Sequence, residues 1–464
     1  MTSFVSARLS RRRFLGTAAV TAGTLAGVGT LLDACSSGGT GPTSSGPTTL
    51  TIMGTSGEIT PAYIKEFEKL NPGVKINFLT SDQTRLNAMF AAGHPPDIIR
   101  GFGIDSAFYN SRGLALNLDP YLAKSSVLKT DDLLPIQNLF RWDGKQTGQG
   151  PHYGLVKDWS LDGAIWADSA IFQQAGVPVP SSTNPLTYDA YLELGKKLTV
   201  RQGGKIQVYG IYPGWPSAGS YGTGVPAAPA IYQMVQQQGG SVFSSDLTKA
   251  DFTTPEVFKA LQWYIDYANA HVGPSPLDPD ATGSWQLYTA KRMALLQLGY
   301  WFGGGITSDT GPNAATLQKA SVLLPAPQMG PHRISSTFAG TGYWIAAKSQ
   351  HPDVAWKFME YFMTGTPATD RATSGWGIPA LKQFVSLMPQ KTDMQKEAFQ
   401  EVQSEMQYFA PLRVSPYVGI AAVDTILGQA LQQVLHNQLT LPAAAKQITD
   451  NVNLLMQQSQ QAVG

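Results

Sequence analysis

The chain has 464 residues, with 33 Lys+Arg against 32 Asp+Glu, one cysteine, 43% hydrophobic and only 14% charged residues. That apolar content supports a sizeable core and excludes disorder as the main state, while near-zero net charge argues against a nucleic-acid partner, which needs a basic surface. One cysteine excludes an internal disulfide framework and a cysteine-cluster zinc site, and the six histidines show no HExxH or HxH spacing, so no metal site is expected.

The first segment reads as an address. Ser10-Arg11-Arg12-Arg13-Phe14-Leu15 precedes a mildly apolar stretch from Phe14 to Ala34 that carries no charge before Asp33. A basic start, an apolar middle and a small residue before the cut predict an export signal over residues 1–34. The paired arginines followed by Phe-Leu resemble the twin-arginine signal. Leu32-Asp33-Ala34-Cys35 resembles a bacterial lipobox, which makes Cys35 the expected lipidation position and its acyl chains the expected membrane anchor. Ser36 to Thr49 holds only Ser, Gly, Thr and Pro, so residues 35–49 are expected to be a flexible tether. Loss of residues 1–34 removes four arginines and one aspartate, leaving 29 basic and 31 acidic residues, a net charge of −2.

Leu50–Met53 reads as a short strand and Gly54–Gly57 as a turn. Thr60 caps a helix opened by Pro61, with Tyr63, Ile64, Phe67 and Leu70 near helical spacing, and Asn71-Pro72-Gly73 stops it. Val74–Phe78 is a second strand, Gln83–Ala92 a second helix and Asp97–Ile99 a third, buried strand. This alternation predicts an α/β parallel sheet, whose ligands bind at loops beyond the carboxyl ends of the strands, here 54–58 and 101–106. Later helices are expected at Thr187–Leu198, Ala228–Gln238, Pro255–Ala270, Ser284–Lys291, Pro352–Met363, Met394–Met406 and, in two pieces split near Leu441-Pro442, from Val418 to Gln461. Later strands are expected at Ile206–Ile211, Met293–Leu298, Ala320–Leu324 and Thr341–Ala346. No internal repeat is visible, and length with mixed content fits two α/β lobes.

Several segments then resemble the extracellular solute-binding proteins of ABC importers, in the carbohydrate-binding group that includes maltose-binding protein. Leu50 to Phe78 is similar to that family's opening strand, helix and F-E-K-x-N-P-G-V-K-V strand. Ala92 to Ile99 is similar to its G-x-x-P-D-I segment, and His152 to Phe172 and Ala175 to Thr199 to the pieces that follow. Ala290 to Trp301 resembles G-K-x-A-M-x-x-x-G-x-W, Gly340 to Met363 the late strand and helix, and Gly377-Ile378-Pro379-Ala380 also fits. The matches keep their order from Leu50 to Gln461. The resemblance implies a periplasmic-binding-protein-like fold (type II): two discontinuous α/β lobes joined by crossing hinge strands, with the ligand in the cleft between them. Lobe 1 would be 48–156 plus 326–372 and lobe 2 157–325 plus 373–464, with crossings near Gly154–Lys157, Val322–Ala326 and Ala372–Gly377.

A sugar presents C–H faces that pack on aromatic rings and hydroxyls that need planar polar partners. Loop position and the family pattern together nominate Glu58, Asp105, Asp158, Trp159, Tyr212, Trp215, Tyr300, Trp301, Gly342, Tyr343 and Trp376 as ligand-binding residues. Trp301 rests on the family tryptophan that follows Gly299, and Trp376 on its flanking Gly375 and Gly377. Asp97 reads as structural; Trp263, Trp344 and Trp356 as core; Trp142 and Trp285 fit either role. No nucleophile–base arrangement and no cofactor motif is readable. The expected function is capture of a carbohydrate, with an importer permease as partner, by a monomeric, membrane-anchored protein without catalysis. The alternatives are a non-sugar solute such as a polyol phosphate or polyamine, for which Arg85, Arg100 and Arg141 are the basic candidates near the cleft, and, remotely, a glycoside hydrolase with paired carboxylates.

Overall fold

The computed structural model describes residues 46–216, 227–338 and 340–463. The expected export signal, the lipobox with Cys35 and most of the tether lie outside the described residues. Residues 46–464 form one compact unit.

In chain order the strands are β1 (Thr48–Gly54), β2 (Val74–Thr80), β3 (Ile98–Phe102), β4 (Arg141–Trp142), β5 (Thr147–His152), β6 (Leu155–Trp159), β7 (Ile165–Asp168), β8 (Val200–Gln202), β9 (Lys205–Tyr212), β10 (Met293–Gln297), β11 (Ser321–Leu324), β12 (Thr341–Ile345) and β13 (Ile378–Pro379). They form a six-stranded sheet in the order β13-β6-β12-β3-β1-β2, a five-stranded sheet in the order β11-β7-β10-β9-β8 and a β4-β5 ribbon. Both large sheets are open and mixed. In the first, β1 is parallel to β2 and β3, and β12 runs against β3 and β6. In the second, β9 and β10 are parallel, and β7 runs against β10 and β11. Sequence reading located β1–β3 and β9–β12 but not the short β4–β8 and β13.

Local chemistry sets the helix starts. Thr60 Oγ1 accepts the Tyr63 amide with Pro61 in the first turn, and Asp82 and Thr187 cap the helices Gln83–Ala91 and Tyr188–Leu198 in the same way. Behind the first sheet, Leu50, Ile52 and Ile98 pack with Phe67, Phe358 and Phe362, and the rings of Phe67 and Phe358 meet edge-on at 5.1 Å. Behind the second, Trp263 on the helix Pro255–Asn269 stacks on Tyr191 and Tyr267 and meets Tyr188 edge-on. No helix of the described residues is long and apolar enough to cross a membrane.

The first sheet keeps both Trp159 and Ile378–Pro379. The chain therefore passes between the sheets at 160–164, 325–340 and beyond Pro379, where sequence reading placed the passages near 154–157, 322–326 and 372–377. The passages are held by hydrogen bonds. Asp162, buried in the first, accepts the Phe338 amide at 2.7 Å and the Thr337 hydroxyl at 2.8 Å from the second.

Candidate functional site

Because β6 runs with β1 and β3, the loops after Gly54, Phe102 and Trp159 leave one edge of the first sheet. The loops after Tyr212 and Gln297 leave one edge of the second. The two edges meet where the Trp301 amide donates to Ser160 Oγ at 3.2 Å, and the C-terminal segment packs on the first edge, where the Ile420 amide donates to Asp105 Oδ1 at 3.3 Å and Phe409 meets Trp159 edge-on at 5.1 Å. This seam is where an open α/β sheet binds ligands.

One end of the seam is aromatic. Trp301 and Trp376 lie 6.2 Å apart with ring planes only 19° from parallel, and Trp285 leans on both at 6.2 and 5.6 Å. Trp376 remains 38% exposed, and Trp285 and Trp301 are partly buried. The cluster thus offers indole surface to solvent on a support that fixes the rings, which is what packing against a C–H face requires. Sequence reading named Trp301 and Trp376; Trp285 joins them from the helix Ser284–Thr289, where local pattern alone left its role open.

The charged floor is paired except at Arg371, whose Nε and Nη1 find no hydrogen-bond acceptor among the described residues. Glu58 takes two bonds from the Arg100 guanidinium, at 2.8 and 2.9 Å, and one from the Tyr343 hydroxyl at 3.0 Å, and Lys157 Nζ stands 3.3 Å away. Burial alone would raise the Glu58 pKa, but Lys157 and Arg100 outweigh it and hold the carboxyl at about 2. Asp158 takes Lys157 Nζ at 2.5 Å and the Thr341 hydroxyl at 2.8 Å, with Arg371 at 3.9 Å. Three cations and two carboxylates therefore share the floor beneath the loops, with one positive charge in excess. Arg100, Lys157, Thr341 and Arg371 were not read as a network, since they come from four distant stretches; the adjacent Lys157-Asp158 pair on a buried strand was the only local sign.

The other nominated residues take varied places. Trp159 is buried, and its indole N–H finds no acceptor among the described residues. Tyr300 is buried, which raises its pKa. Tyr212 is partly buried, and Trp215 is 9% exposed, packing on Tyr264 and Tyr267 at 6.0 and 6.3 Å. Gly342 lies inside β12, where a Cβ would collide with the Leu155 carbonyl oxygen, so the sheet itself requires glycine there. Tyr343 is fully buried beneath Glu58 and against Phe362. Asp97, read as structural, accepts the Thr51 amide and the Ser349 hydroxyl. Of the arginines considered for an anionic ligand, Arg100 is bound to Glu58, Arg141 donates to the Gly150 carbonyl, and Arg85 is exposed.

A cavity of 810 Å³ lies between Pro135–Gly148, Ser245–Leu247 and the loop Phe409–Tyr417, and shares Phe409 with the seam. Its size suits a small molecule, yet none of the nominated residues lines it.

The family described as bacterial extracellular solute-binding protein matches residues 54–364, about two thirds of the chain. No curated protein matches. Among solved structures, an ABC substrate-binding protein from Listeria monocytogenes in complex with cycloalternan is similar with a TM-score of 0.71 at 23% identity, covering 89% of this chain and 99% of that one. A solute-binding protein from Thermotoga lettingae bound with alpha-D-tagatose gives 0.69 at 19% identity, covering 88% and 100%. The sugar-binding protein MalE of Xanthomonas citri gives 0.67 at 16% identity, covering 89% and 99%. At such identities the likeness is one of fold, and it agrees with two open α/β sheets linked by crossing segments. The length of the family match, together with that architecture, establishes that the chain belongs to the bacterial extracellular solute-binding proteins.

Proposed function

We propose that the chain captures a neutral carbohydrate between its two lobes and delivers it to the permease of an ABC importer. The observation that carries this reading is the Trp285–Trp301–Trp376 cluster at the seam, beside a floor whose two carboxylates are both taken by cations of the protein. A polyamine needs carboxylates to spare, and a polyol phosphate needs uncommitted arginines. Glu58, Asp158 and Arg100 are bound within the protein, and Arg371, which lacks a full set of acceptors, is partly buried with 13% of its side chain exposed. A neutral polyol needs neither, and the ligands named with the similar structures, cycloalternan and tagatose, are neutral polyhydroxyl compounds.

In this reading the seam is the cleft, the lobes divide near the passages at 160–164 and 325–340, and the sugar stabilises closure by touching both lobes. The function is binding, and no bond is made or broken. The export signal and Cys35 would hold the protein on the outer face of the membrane as a lipid-anchored monomer.

The test is a thermal-shift screen with mannobiose, mannotriose, ribitol, glycerol 3-phosphate and spermidine. A ligand at about 100 times its dissociation constant adds about 2.7 kcal/mol of stability. A midpoint that rises with the neutral compounds supports the reading. A rise only with glycerol 3-phosphate or spermidine overturns the substrate class.

A further inference from the structure

The helix Phe302–Ser308 begins Phe-Gly-Gly-Gly. Three successive glycines weaken a helix, so their presence calls for a packing reason. Each glycine faces a tryptophan. A Cβ on Gly303 would stand 3.0 Å from Cζ2 of Trp166, which is fully buried in the second sheet. A Cβ on Gly304 would stand 3.0 Å from the carbonyl carbon and oxygen of Gly375 and 3.0 Å from Cγ of Trp376. A Cβ on Gly305 would stand 2.8 Å from Cζ2 of Trp285.

These contacts differ in how they can yield. Cζ2 is the far edge of an indole, which can tilt where the ring is partly exposed, as in Trp285, and less where it is buried, as in Trp166. Cγ is its root, and the Gly375 atoms are main chain, so neither can move without carrying the segment 375–377 away. Gly375 itself has a left-handed backbone, φ +77°, which restricts how that segment can adjust.

We propose that Gly304 and Gly305 are positioning residues: by admitting Gly375, Trp376 and Trp285 to the surface of this helix, they set the spacing of the three-tryptophan platform and with it the fit to a saccharide. The inference rests on the reading of the cleft as a sugar site. It makes Gly304 the more sensitive of the two, because its neighbours cannot swing clear.

The experiment compares Gly303→Ala, Gly304→Ala and the parent chain by two readouts. One is the indole exciton couplet in circular dichroism, which reports the geometry of the stacked Trp301–Trp376 pair without any ligand. The other is calorimetric affinity for mannotriose. We expect Gly304→Ala to alter the couplet and weaken affinity about tenfold, the loss that one well-placed aromatic contact accounts for. Gly303→Ala makes the same change of residue in the same helix but meets only Trp166, outside the three-tryptophan platform, and should move both readouts less than Gly304→Ala does. A parental couplet in folded Gly304→Ala overturns the inference, and so does an equal change in Gly303→Ala. If Gly304→Ala does not fold, Gly305→Ala decides, since the ring edge it meets can swing: an unaltered couplet there overturns the inference. If the parent does not bind mannotriose, the couplet still decides the positioning claim, and the failure belongs to the sugar reading alone.

Discussion

Replacing Glu58 by glutamine tests the charged floor. The side chain is 19% exposed and accepts bonds from Arg100 and Tyr343, with Lys157 Nζ at 3.3 Å. Burial opposes its charge, but Lys157 and Arg100 prevail and lower the pKa from 4.5 to about 2. The unfolded chain therefore takes up a proton near 4.5, while the folded chain resists until about 2. The stability this contributes is complete above 4.5 and drains away as pH falls through that window. At about 1.4 kcal/mol per pH unit, it amounts to about 3 kcal/mol at neutral pH. Glu58→Gln keeps the shape and removes the charge, leaving Arg100 and Lys157 facing an amide; breaking a buried pair costs about 3–5 kcal/mol. Urea unfolding of both chains over a pH series is the assay. The gap between them should be about 3 kcal/mol near neutrality and should close toward the acid end of the series. A gap that stays constant with pH would refute the electrostatic account, and no gap at all would refute the network.

Trp376→Ala should weaken sugar affinity about tenfold in calorimetry while barely moving the unfolding midpoint, because the ring is partly exposed; Trp215→Ala should cost about 3–5 kcal/mol of stability, because that ring is buried among Tyr264 and Tyr267. Glu401 is held protonated to about 8 by burial and by neighbouring Glu405, with Arg333 opposing in part. The folded state keeps a proton that the unfolded state releases near 4.5, so stability falls as pH rises from there to about 8. Glu401→Gln should abolish that slope and raise the midpoint at the alkaline end of a pH series of thermal melts.

The parts of the fold that sequence made legible are those set by neighbours along the chain. Thr60 with Pro61, and the alternating run at Val74–Phe78, identify their elements without tertiary information. Trp301 stood out through the family pattern that follows Gly299, and Trp376 because Gly375 and Gly377 flank it. Trp215 lay equally close to turn residues, yet the rings that bury it sit on a helix some fifty residues later. Glu58 occupied a strand-to-helix loop as a ligand contact would, and its partners arrive from β3, β6 and β12. Gly342 looked like room for a ligand, but the room is taken by the neighbouring strand. Short strands such as β4, β7 and β13 carry too few residues for a period to show, so their pairing is decided by the sheet they complete.

The most direct test of sugar capture between the lobes is small-angle X-ray scattering, with and without mannotriose at saturation, on the parent chain and on Trp301→Ala. Closure around a sugar held against the tryptophan platform predicts a smaller radius of gyration with sugar in the parent and no change in Trp301→Ala at the same concentration. A parent that binds mannotriose with an unchanged radius, or a Trp301→Ala chain that closes equally well, would contradict it.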